Sequence, residues 1–178
     1  VRALSRNCER YENVEIIQMV PLTGELAKPE YEGHFKYNSL FAGGTTRDAV
    51  QEGNADFTPV FFHEVPKLFK EKLIDVKVAL VMVTPPDEHG FCSFGVSVDY
   101  TRSAAEEADI VIAQVNKNMP RTLGNSMIHI NDIDAVVEFD EEIPELQPPV
   151  IGDTEKKIGE FCASLIKDES VLQLGIGA

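Results

Sequence analysis

Residues 76–84, VKVALVMVT, decide how the rest of the chain is read. Apart from Lys77 and the closing Thr84 the run is apolar, and it is rich in the β-branched valine that suits a pleated strand. A strand apolar along its whole length has both faces covered, as in the centre of a parallel sheet with helices on each side. The spacing therefore predicts a central parallel strand here. Working outward, short apolar runs alternate with stretches of helical spacing, the pattern of a layered α/β domain.

Upstream, residues 14–20 (VEIIQMV) and 35–41 read as strands, the second ending at Gly43-Gly44. Thr45 or Thr46 is placed to cap a short helix over 47–52, which Gly53 stops. Residues 56–62 (DFTPVFF) read as a strand with Pro59 at an edge or at its end. In 64–73 (EVPKLFKEKL), Val65, Leu68, Phe69 and Leu73 fall at helical spacing, and Pro66 is tolerated in the first turn. Residues 2–10 look helical. Because the chain opens on Val1 rather than methionine, residues upstream of it are expected.

Downstream, 85–90 (PPDEHG) is dense in turn formers and leads to 91–98, expected as a hairpin partner of the preceding strand. Residues 100–108 (YTRSAAEEA) read as a helix behind a Ser97 or Asp99 cap, 110–115 (IVIAQV) as a buried strand, and 126–130 and 135–139 as short strands. The acidic, proline-rich 140–149 (DEEIPELQPP) has no apolar period and reads as a surface linker. After it, Asp153 is expected to cap a helix with Ile158, Phe161, Cys162, Leu165 and Ile166 on one face, followed by a strand over 171–174. The fold class is thus α/β, an open and mostly parallel sheet flanked by helices over 1–149. The start of a second α/β domain follows over 150–178.

With 178 residues, 43% hydrophobic and 26% charged, the chain can bury a sizeable core. A net charge of -14 and a pI near 4.6 argue against nucleic acid or an anionic membrane as the main partner. No apolar run reaches membrane-spanning length. The three cysteines, Cys8, Cys92 and Cys162, lack ligand spacing and are expected to be reduced, buried thiols of a cytoplasmic protein. His34, His89 and His129 share no spacing suited to zinc, so no metal is expected.

The chain closes on LQLGIGA, a run entering a Gly175-Ile176-Gly177 turn. Such a pair either lets a backbone approach a ligand or serves the turn geometry alone. His63 beside Glu64 is read as a helix entry or a site wall rather than an acid–base pair, because sequence neighbours point apart. Arg47, just after the glycine pair, either addresses an anionic ligand or pairs with Asp48 or Glu52. Around Ser93 and Ser97 the GxSxG order of a serine hydrolase is absent.

Taken together, residues 59–66 (PVFFHEVP), 81–100 (VMVTPPDEHGFCSFGVSVDY), 108–116 (ADIVIAQVN) and 158–178 (IGEFCASLIKDESVLQLGIGA) resemble the acetyl-CoA hydrolase/transferase family. The likeness is strongest to its 4-hydroxybutyrate and butyryl-CoA:acetate CoA-transferase branch. It implies two related α/β domains with the active site between them. It also implies ping-pong chemistry in which a glutamate carboxylate attacks an acyl-CoA thioester and becomes a glutamyl-CoA thioester. By the same resemblance Gln173, Leu174, Gly175, Ile176 and Gly177 contact CoA and the reacting acyl group. The glycine amides suit an oxyanion, and the glutamine amide suits a carboxylate. The nucleophilic glutamate would lie beyond Ala178, so no glutamate of this chain is assigned to catalysis.

The implied partners are an acyl-CoA, a small carboxylic acid, a C-terminal domain of the same polypeptide and further copies in a homo-oligomer. Coenzyme A is a substrate and no resident cofactor is implied. Net hydrolysis of acetyl-CoA and a non-catalytic CoA- or nucleotide-binding module stand as the alternatives.

Overall fold

The computed structural model describes residues 2–145, 147 and 150–175. Strands β1 (Val14–Gln18), β2 (Phe35–Ser39) and β3 (Ala55–Phe57) form one parallel sheet in that order. A second parallel sheet has the order β4 (Val78–Val83), β6 (Ile110–Val115), β8 (Ala135–Glu138). Between them in the chain, β5 (Phe91–Ser93) pairs antiparallel with β7 (Met127–His129). The helices are α1 (Arg2–Arg6), α2 (Arg47–Gln51), α3 (Val65–Lys70), α4 (Thr101–Glu107) and α5 (Asp153–Leu165). Among the described residues no helix is long and apolar enough to cross a membrane.

Three apolar clusters hold these elements. Under the first sheet, Leu26, Ala27, Phe35, Tyr37 and Ala55 are buried, with Leu4 of α1 and Tyr11 packed on them. Burial raises the Tyr37 hydroxyl pKa, and that hydroxyl donates to Gln18 Oε1 at 2.9 Å. A second cluster joins Met19 and Leu40, at the ends of β1 and β2, to Val65 and Phe69 of α3 and to Tyr100. The third lies on one face of the second sheet, where Val83, Cys92, Phe94 and Ala113 are almost fully enclosed.

The mostly parallel α/β reading holds, and several local expectations need correction. The run 76–84 does not give a central strand: β4 lies at one margin of its sheet, and β6 is the middle strand. Burial alternates along it, with Ala79, Val81 and Val83 inside while Val78 and Leu80 face outward. Hydropathy alone cannot distinguish a covered face from an apolar face left open. Nor is 91–98 a hairpin partner of β4. Only Ser93 meets its end, where Ser93 N–H donates to Thr84 Oγ1 and Thr84 N–H to Ser93 O, both at 2.9 Å. The ladder of β5 instead runs with β7, 34 residues downstream of Ser93 at Met127.

The third strand is shorter than expected, since Pro59 has no N–H to extend the ladder past Phe57. Helix α4 is led by Asp99, whose carboxylate accepts from the amides of Tyr100 and Thr101 at 2.7 and 3.2 Å. In α5 the N-cap is Gly152 rather than Asp153, and Gly152 N–H donates to Glu155 Oε2 at 2.9 Å. The amphipathic face expected here is present but uncovered: Ile158, Phe161 and Leu165 are exposed, and no residue of α5 is buried. Residues 171–174 form no strand among the described residues. A strand needs a neighbour for its ladder, and none lies beside this one. The cysteines are all free, yet only Cys92 is buried; Cys162 is exposed on α5.

A hydroxyl network fixes the loops next to β5. Ser93 Oγ, fully buried, accepts from the amides of Gly95 and Thr122 at 3.1 Å each. Thr122 Oγ1 in turn donates to Gly95 O at 2.8 Å. Gly95 has φ +61, and a Cβ there would fall 2.2 Å from Met119 Sδ and 2.8 Å from Pro120 O. Both conformation and space require glycine. Gly95→Ala is therefore expected to destabilise the fold by about 2 kcal/mol or more, read as a lower urea midpoint; an unchanged midpoint would contradict this packing.

Candidate functional site at the carboxyl ends of the strands

In a parallel sheet every strand ends on the same side, and open α/β sheets bind ligands at that side. The register makes these ends level. Gln18 pairs with Ser39 and Ser39 with Phe57 in the first sheet, while Val83 pairs with Val115 and Val115 with Glu138 in the second. The loops that follow are 19–24, 40–46 and 58–64 on the first sheet, and 84–90, 116–126 and 139–141 on the second.

The loops of the first sheet are pinned to one another. Ser39, fully buried, donates through Oγ to Phe41 O at 2.9 Å and lies 3.2 Å from Thr46 Oγ1. Thr58 N–H donates to Ser39 O at 3.1 Å. Thr45 Oγ1 donates to Pro21 O at 3.0 Å, and a Cβ on Gly24 would meet Thr45 O at 1.9 Å, so the first two loops touch. Thr46 occupies the N-cap of α2 without capping it, because its hydroxyl turns back to Phe41 O. On this framework stand exposed apolar side chains: Val20 (71%), Leu22 (77%), Phe41 (53%), Phe61 (72%) and Phe62 (59%). Among the described residues the amides of Gly44 and Thr45 donate to no protein acceptor. The arrangement offers an apolar rim beside two backbone donors.

His63 and Glu64 behave as neighbours that point apart. The His63 ring stacks on Phe61 at 5.9 Å, whereas Glu64 meets Lys67 Nζ at 3.6 Å. Glu64 does occupy the N-cap of α3, although its side chain makes no capping bond. Arg47 is exposed and pairs with neither Asp48 nor Glu52; no ion pair to it lies within 4.0 Å among the described residues.

On the second sheet, Asn116 is fully buried and ties β6 to the segment after β8. Its Nδ2 donates to Glu141 O at 2.9 Å, and its Oδ1 accepts from Asn118 N and Glu141 N. The turn after β4 is held by Asp87. One carboxylate oxygen accepts from the amides of Phe91 and His89 at 2.9 Å each, and the other meets Arg121 Nη2 at 2.5 Å. The two amides, then the nearby Arg121 charge, hold the Asp87 carboxyl below the ordinary carboxylate range. No group of three or more His, Cys, Asp or Glu converges on a metal-sized site among the described residues.

The terminal segment is separate from these loops. Gln173, Leu174 and Gly175 are exposed, and the only hydrogen bond Gln173 makes among the described residues is from its own Nε2 to Leu174 O at 3.1 Å. Ile176 and Gly177 lie outside the described residues. The structure thus does not bring the five sequence-assigned residues to the strand-end rim. The rim itself escaped the sequence reading except for 57–66, taken there as a wall; the signal was three charge-free loops, each following a strand.

Because Asp87 is depressed in the fold, its stabilising contribution is present above the unfolded carboxyl pKa of about 3.9 and fades as pH falls through the folded value. Asp75 and Asp140 are depressed as well and add to the same acid limb. Asp87→Asn is expected to reduce, without abolishing, the loss of melting temperature between pH 5 and 3. An unchanged acid slope would mean that the clamp does not couple to folding.

Comparison with known proteins agrees with this arrangement. Residues 2–147 match the family model described as acetyl-CoA hydrolase/transferase N-terminal domain. The 4-hydroxybutyrate coenzyme A transferase of Clostridium kluyveri is 59% identical over 179 aligned residues, covering 100% of this chain and 42% of that protein. The crystal structure of 4-hydroxybutyrate CoA-transferase from Porphyromonas gingivalis matches at TM-score 0.73 and 40% identity, over 99% of this chain and 40% of its own. RipA from Yersinia pestis matches at TM-score 0.84 and 28% identity, over 98% and 43%. The chain therefore spans about two fifths of the length of these relatives. With level strand ends, the pinned loops and a family match running through nearly the whole described fold, this chain belongs to the acetyl-CoA hydrolase/transferase family.

Proposed function

We propose that this chain is the N-terminal part of a cytoplasmic CoA-transferase that moves CoA between a short-chain acyl-CoA and a small carboxylate. Acetyl, butyryl and 4-hydroxybutyryl groups are the proposed acyl range. The observation that carries the reading is the 59% identity to a 4-hydroxybutyrate coenzyme A transferase along the whole chain. Identity at that level extends through core and loops alike.

In this reading the boundary near residue 150 separates an N-terminal domain from the first helix and run of the next one. The uncovered face of α5 supports it, since Ile158, Phe161 and Leu165 need a partner that residues 2–147 do not supply. Gln173, Leu174, Gly175, Ile176 and Gly177 form the wall that contacts CoA and the acyl group. The glutamate nucleophile belongs to the polypeptide beyond Ala178. That carboxylate attacks the thioester carbonyl and expels CoA thiolate, leaving an acyl-glutamyl anhydride. The thiolate then attacks the glutamyl carbonyl, releasing the first carboxylate and leaving glutamyl-CoA for the acceptor acid. CoA is a substrate throughout, and the assembly is a homo-oligomer.

The test uses the full-length polypeptide carrying this chain. Acetate-dependent exchange of CoA is expected, with little CoA released when acetate is omitted; release at the same rate without acetate would establish the hydrolase instead. The 178-residue chain alone is expected to be inactive. Gln173→Ala in the full-length enzyme should lower the transfer rate on the order of 100-fold with a melting temperature close to that of the parent. A large melting shift with normal turnover would remove Gln173 from the site.

A further inference from the structure

We propose that Phe41, Phe61 and Phe62, with Val20 and Leu22, form the wall along which the acyl chain of the substrate lies, and that these residues set its preferred length; this rests on the CoA-transferase reading above. All five side chains are exposed by at least 53%. Scattered apolar residues on a surface need no explanation, but five on three consecutive strand-end loops form a local concentration. The register of β1, β2 and β3 brings those loops to one edge.

Charge singles out the same place. The chain carries 16 basic and 30 acidic side chains, yet the stretches 19–24 (MVPLTG), 40–46 (LFAGGTT) and 58–62 (TPVFF) contain none. In so acidic a protein, an uncharged edge suits a neutral aliphatic group and leaves the anionic parts of a ligand to other elements. The Gly44 and Thr45 amides lie within the middle loop, where they suit the carbonyl oxygen of a thioester. Phe41 flanks that turn, and its ring would be 3.3 Å from a Cβ placed on Gly43.

Rigidity completes the argument, because a surface that measures chain length must hold its position. Ser39 and Thr46 grip Phe41 O, while Thr58 is tied both to Ser39 O and, through its hydroxyl, to Asn38 Oδ1 at 2.9 Å. The turn carrying Phe61 and Phe62 is closed by Glu64 N–H donating to Phe61 O at 2.8 Å. The aromatic groups therefore project from braced backbone.

The experiment compares kcat/KM for acetyl-CoA and butyryl-CoA in the full-length enzyme, with acetate or propionate as acceptor. A Phe61→Ala/Phe62→Ala double variant should lower the butyryl-to-acetyl ratio on the order of 10-fold, since each methylene in an apolar pocket contributes about that much discrimination. A Phe61→Leu/Phe62→Leu variant, which keeps an apolar surface, should recover most of the ratio. An unchanged ratio overturns the proposal. So does an equal loss for both substrates with a lower melting temperature, the result expected if the rim docks another protein surface. If the parent enzyme transfers CoA from neither thioester, the CoA-transferase reading itself fails, which is a different result from an active enzyme with unaltered preference.

Discussion

Parallel pairing is the constraint on which the rest of this structure depends. Because β1, β2 and β3 run in one direction and finish at the same level, the chain leaves the sheet three times at a single edge. The same holds where β4, β6 and β8 end. Buried polar groups then convert strand ends into fixed loops. Ser39 serves the first sheet, and Asn116 and Ser93 serve the second. Each is fully enclosed, so each must satisfy its hydrogen bonds within the protein, and the partners available are the backbones of neighbouring loops. The requirement that stabilises the core thus also positions the surface above it.

The electrostatics divide in a related way. An overall charge of -14 opposes the approach of an anionic ligand, so recognition depends on local groups rather than on the field of the whole chain. Acidic side chains such as Asp87 and Asp99 are spent internally, on backbone amides at a turn and at the start of α4. The strand-end edge of the first sheet is neutral. Backbone donors and apolar side chains remain there, a combination suited to a carbonyl attached to a hydrocarbon.

Much of the architecture was legible beforehand. The runs at 14–20, 35–41 and 110–115 became strands because each joins β-branched or aromatic residues to nearby turn formers, and α5 was legible from its period. What escaped was pairing. The apolar run ending at Val83 looked central, yet one face of β4 remains open; the segment after Gly90 looked like its hairpin partner, yet β5 joins β7. Local composition reports that a strand wants burial and is silent on which neighbour supplies it. The candidate site was legible only in part for the same reason: the glycine turn after Gln173 is visible as a motif, whereas the aromatic rim exists only once three separated loops are brought to one edge.

By itself the sequence determined the α/β class, the acidic character, the approximate positions of most elements and, through its ordered motifs, the likeness to a CoA-transferase family. These follow from periodicity, charge and residue identity, all of which are local or additive along the chain. Only the tertiary structure decided that β6 rather than β4 is the middle strand, that Cys162 faces outward on an uncovered helix, and that Val20, Phe41 and Phe61 share an edge. Those facts depend on register and packing between residues far apart in the chain, and no local pattern encodes them.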